Sequence, residues 1–86
     1  MNNANYKLFS VMLKLVEENV DHNNFRTCTP SHAVELLEWE WECMGVEQHE
    51  IIPTFLLLIE QCEAGLNSAC TLFASEMLTQ YLQNKF

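Results

Sequence analysis

Cys28 and His32 stand four residues apart, the one local pair in this 86-residue chain with the spacing of metal ligands. His22 and His49 flank them in sequence. A structural zinc site usually draws its four ligands from two such pairs, and a second pair is missing. Di-iron bundles present Glu-x-x-His from two helices, and that motif is absent too. His32-x-x-Glu35 puts an imidazole and a carboxylate on one helical face, where a local ion pair accounts for it. The cysteines are Cys28, Cys43, Cys62 and Cys70, with no Cys-x-x-Cys among them. Three lie in apolar helical stretches and read as reduced, buried small hydrophobes rather than a disulfide framework. There is no Gly-rich phosphate loop, no nucleophile elbow and no Cys-His signature. A helical chain of this length also leaves little room for a substrate pocket beside its core. The expectation is therefore no enzyme, no metal and no cofactor.

What remains is a stripe of charge. Glu35, Glu38 and Glu42 recur at i, i+3 and i+7, with Trp39 beside them. Like charges at helical spacing repel, and tryptophan is a favoured interface anchor. Residues 27 to 84 hold nine Glu and no Lys or Arg, so the whole formal charge of −8 falls on residues 27–86. Such a field repels the phosphate backbone, whose binding rests on Lys and Arg. It repels an anionic membrane surface as well. It suits a basic partner, or else it is simply a solvated face.

The elements that must position this stripe are legible from periodicity and caps. Residues 5–21 have a helical period, with Tyr6, Phe9, Met12, Leu13, Val16 and Val20 on one face and Leu8 and Leu15 beside it. His22-Asn23-Asn24 ends that pattern, and Phe25 then tucks onto the core. Thr29-Pro30 starts a second helix, as N-cap and first helical residue, and Gly45 stops it. Its core face is Ala33, Val34, Leu37, Trp41 and Met44. The period-two alternation of residues 37–43 offers a strand as the competing reading. The Thr-Pro start, the Gly stop and the low strand preference of Glu favour the helix.

Residues 51–62, Ile-Ile-Pro-Thr-Phe-Leu-Leu-Leu-Ile-Glu-Gln-Cys, are apolar nearly all round a helix, interrupted by Thr54, Glu60 and Gln61. That pattern predicts a central helix over residues 50–64, covered by its neighbours. It is too short to span a membrane. Pro53 is expected in its first turn, where the missing N–H costs nothing, and Gly65 closes it. Asn67 caps a fourth helix with Cys70, Phe73, Ala74, Met77, Leu78 and Tyr81 inward, and Lys85 complements the dipole at its end.

The fold class predicted is all-α: one small domain over residues 1–86, about four helices around the central apolar one. The amino-terminal Met-Asn-Asn-Ala-Asn has no cationic n-region, so a cytoplasmic location is expected. In size, charge and helical character the chain resembles small acidic inhibitors such as bacteriocin immunity proteins and phage anti-CRISPR or DNA-mimic proteins. That likeness is one of type and rests on no shared motif. It implies a protein-binding module, an inhibitor or regulator that occupies a basic surface on a partner protein, nucleic-acid-binding surfaces included. Direct nucleic-acid or membrane binding is not expected. The partner-facing residues are read as Glu35, Glu38, Trp39 and Glu42, extended past the turn by Glu47 and Glu50. The alternative is a self-associating structural or regulatory bundle, a homodimer whose apolar excess completes a shared core.

Overall fold

The computed structural model describes residues 4–21 and 29–85. These form four helices: α1 (Tyr6–Asp21), α2 (Pro30–Met44), α3 (Gln48–Ala64) and α4 (Ser68–Lys85). No strand occurs among the described residues, so residues 37–43 are helix. His22, Phe25 and Cys28, and the readings made of them, lie outside the described residues.

Local chemistry sets the helix ends. Asn5 caps α1, its Oδ1 accepting from the Leu8 N–H at 3.0 Å. The Thr29 hydroxyl accepts from the His32 N–H at 3.2 Å, and Pro30 follows as the first helical residue. Gly45 closes α2 at φ 72°, in the left-handed region where a Cβ is strained. Asn67 starts α4, its Oδ1 accepting from the Cys70 N–H at 3.0 Å.

α4 packs on all three other helices, whereas α2 and α3 do not pack on each other among the described residues. The core therefore collects on the inner side of each helix. Phe55 and Leu58 of α3, Phe73 and Met77 of α4, and Leu37 of α2 are all essentially closed to solvent. The inward faces of α2 and α4 match the sequence pattern, with Met44 and Leu78 at their margins.

α1 and α3 depart from it. In α1 the buried residues are Leu8, Met12, Val16 and Asn19, and Tyr6 is 64% exposed. The inward face is rotated by roughly 70° from the one the apolar pattern suggests, on a helix of 3.6 residues per turn. Two polar contacts make that phase affordable in free energy. The Asn19 amide donates to the Leu15 carbonyl at 2.8 Å, so a polar residue can be buried. At the start of the helix, the Asn5 N–H donates to Thr54 Oγ1 at 2.9 Å.

α3 starts earlier than expected, at Gln48, and places Pro53 in its second turn. There the ring does remove one helical hydrogen bond, the one His49's carbonyl would accept. The earlier start comes from Glu50, whose carboxylate accepts from the Glu47 N–H at 3.0 Å and winds the chain two residues upstream. Nor is α3 covered all round: Leu56 is 54% exposed and Ile52 37%. With α2 held away, α1 and α4 can cover one side only. Thr54, which breaks the apolar pattern, points inward and is fully buried.

The α3–α4 turn also holds a surprise. Gly65 has an ordinary φ of −81°. The left-handed residue is Leu66, at φ 56°, and its side chain is 92% exposed. The hydrogen bonds explain the placement. Leu66 N–H donates to Glu63 O at 3.0 Å and Asn67 N–H to Cys62 O at 3.1 Å, the paired closure that demands a left-handed residue at position 66.

Two substitutions test this architecture. Phe55→Ala should cost about 3–5 kcal/mol in chemical denaturation, since it empties the centre of the core; a cost below about 1 kcal/mol would place Phe55 elsewhere. Leu66→Gly should stabilise, by about 0.5–1 kcal/mol, because it relieves the left-handed leucine while removing little buried surface. A lower melting temperature for that variant would contradict the turn geometry.

Candidate functional site: an acidic groove between α2 and α4

The core residues of α2 fix where its charges point. With Ala33, Val34, Leu37 and Trp41 inward, Glu35, Glu38 and Glu42 line one long edge of the helix. α4 runs alongside. Between them lies a groove of about 580 Å³, lined by these three glutamates, by Trp41 and Tyr81 at its floor, and by Gln48, Asn84 and Lys85 at its end. Glu35 and Glu42 are exposed and Glu38 is half-buried.

The floor is rigid. Trp41 and Tyr81 meet edge to face with ring centroids 5.6 Å apart, and both are nearly closed to solvent. Burial, and then the charge of Glu38 nearby, raises the Tyr81 phenol above its usual range. The phenol therefore stays neutral and adds no charge to the groove. His32 Nδ1 lies 3.7 Å from Glu35 Oε2 at the amino-terminal end of the stripe, both well exposed. Such a pair contributes little.

The structure divides the residues expected to face a partner. Glu35, Glu38 and Glu42 come together. Trp39 is 71% exposed but lines a different groove, between α1 and α2. Glu47 and Glu50 do not line the acidic groove, although Gln48 between them does. Glu47 is exposed, its carboxylate 3.2 Å from His49 Nδ1. Glu50 is engaged in the fold. Besides the Glu47 N–H, its Oε2 accepts from the Asn5 side-chain amide at 3.3 Å. These two bonds, the Glu47 backbone first, pull its carboxyl below the usual value.

One resident cation was not anticipated in the groove. Lys85 reads in sequence as a dipole partner for α4, yet it shares the groove with the three glutamates. The signal was available, because Lys85 follows the inward-facing Tyr81 by four residues and so falls on the same helical edge.

The described residues contain no group of three or more His, Cys, Asp or Glu arranged to hold a metal ion. Cys62 and Cys70 are buried and their thiols lie against each other. Burial, then the neighbouring Cys70, pushes the Cys62 thiol up, away from nucleophilic use. Cys43 is an exposed free thiol. No helix among the described residues is long and apolar enough to cross a membrane. Comparison with protein-family models, with curated proteins and with solved structures finds no match.

The state of Glu50 gives a pH prediction. Its folded-state pKa is lowered, so its contribution to stability is present above the ordinary carboxylate range and is lost as pH falls through the lowered value. Glu50→Gln should melt below the parent at neutral pH, and the gap should close as the solution is acidified. A gap that stays constant from neutral to acid pH would mean that the carboxylate charge does not act there.

Proposed function

We propose that the chain is a small protein-binding module, an inhibitor or regulator, whose acidic groove between α2 and α4 receives a cationic element of a partner protein. The observation that carries this reading is the alignment of Glu35, Glu38 and Glu42 along one groove that offers Lys85 as its resident cation. Three carboxylates within one helical edge repel one another, and an incoming Lys or Arg relieves that repulsion. Nucleic-acid-binding surfaces carry Lys and Arg clustered in this way. The acidic stripe then stands where phosphates would stand. Charge of this kind acts mostly on association rate and discrimination between partners.

The buried floor supports the same reading. Trp41 and Tyr81 pack edge to face and seat the α2 backbone that carries the stripe against α4, so the helix need not be ordered on docking. Lys85 sets a baseline that a stronger cation must displace.

A helical arginine-rich peptide is a suitable probe, followed by amide resonances of the labelled protein at low and high salt. The expected outcome is selective shifts at Glu35, Glu38, Glu42 and Lys85 that fade as salt rises. Glu35→Lys with Glu42→Lys should weaken binding by about tenfold or more, and Lys85→Gln should strengthen it. Equal shifts around Glu17, Glu18 and Glu76 would mean unspecific attraction by net charge and would overturn the proposal.

A further inference from the structure

The second groove has a different character. It runs between α1 and α2, has a volume of about 440 Å³, and is walled by Val11, Lys14, Leu15 and Glu18 on one side and Leu36, Leu37, Trp39 and Glu40 on the other. Trp39 is 71% exposed and Leu36 is 42% exposed. A large aromatic thus stands on the rim of an apolar slot that it does not itself fill.

We propose that this face is a two-fold interface with a second copy of the same chain, in which Trp39 of each protomer enters the α1/α2 groove of its partner. A two-fold contact needs one patch that carries both a projection and a recess, because the same surface is used twice. Trp39 and the slot beside it meet that requirement. The charges meet it as well. The α1 wall offers Lys14 beside Glu18 and the α2 wall offers Glu40, and pairing α1 of one protomer against α2 of the other can set each Lys14 against the partner's Glu40. A purely basic or purely acidic foreign segment would meet a like charge on the α1 wall, where Lys14 and Glu18 both stand. The position of the groove keeps this contact separate from the acidic groove, since Glu35, Glu38 and Glu42 line the other edge of α2.

Sedimentation equilibrium over a wide concentration range tests the proposal, with circular dichroism to confirm that each variant is folded. The parent should pass from monomer to dimer as concentration rises. Trp39→Ser should raise the dissociation constant by about tenfold or more, as loss of a central aromatic anchor does. Lys14→Glu and Glu40→Lys should each weaken self-association, since each sets like charges across the interface twice. Mixed in equal amounts, these two variants should form a heterodimer, because one contact then keeps the native Lys14–Glu40 pair and the other is remade with its signs reversed. Glu76→Lys carries the same net charge as Glu40→Lys but lies on the exposed side of α4. Mixed with Lys14→Glu it should form no such pair. A parent that stays monomeric throughout overturns the proposal. So does a dimer that tolerates Trp39→Ser, or a heterodimer that forms equally well with Glu76→Lys. None of these results bears on peptide binding at the acidic groove, so the two readings stand or fall separately.

Discussion

Tyr81 is the residue on which the arrangement of the bundle turns. α2 and α3 do not pack on each other among the described residues, and α4 lies between them. The Tyr81 ring faces both, with centroids 5.6 Å from Trp41 of α2 and 5.9 Å from Phe55 of α3. Aromatic pairs at such distances add to what area burial alone contributes. One side chain therefore bridges two helices that do not touch each other directly, alongside the packing of α1 and α4 on both. It also floors the acidic groove. The charged edge of α2 is held by the same contact that closes the core, so the geometry of the groove follows from the fold.

The start of α1 is held by polar atoms. Thr54 Oγ1 accepts from the Asn5 N–H at 2.9 Å and donates to the Glu50 carbonyl at 2.6 Å. Glu50 reaches back to the Asn5 amide and to the Glu47 N–H. The start of α1 is thereby tied to the first turns of α3. A buried hydroxyl with both roles satisfied costs little, whereas the same hydroxyl unpaired would be expensive. This knot explains why Glu50, near the charged stripe in sequence, is not free to serve it.

The sequence was most legible where one residue type has one physical use. Thr29, Pro30, Gly45 and Asn67 announced helix ends because caps and left-handed closures accept few side chains. The inward faces of α2 and α4 followed from period and apolar spacing alone. The remainder depended on contacts that cross between elements. The rotational phase of α1 is set by Asn5 and Asn19, polar residues that a hydrophobicity pattern scores as outward. Thr54 looked like an interruption because its two hydrogen-bond partners lie on another helix and a turn earlier. Leu66 was hidden because Gly65 is the obvious left-handed candidate, one residue too early for the hydrogen bonds that close α3. The acidic stripe was readable as three glutamates. Its neighbour Lys85 needed the packing of α4, and the separation of Trp39 from the stripe needed the packing of α1.

The two tryptophans of α2 make the protein its own pair of optical reporters. Trp41 is 7% exposed and meets Tyr81 edge to face, whereas Trp39 is 71% exposed. Indole emission moves to longer wavelength as its surroundings become wet, so the native spectrum must be a sum of a blue and a red component. A soluble quencher reaches the red one and spares the blue. Light absorbed by Tyr81 passes chiefly to the ring it touches. Emission at the blue edge therefore follows the integrity of the core, and emission at the red edge follows what happens on the outer surface of α2. A single cuvette can distinguish an event at that surface from loss of the fold.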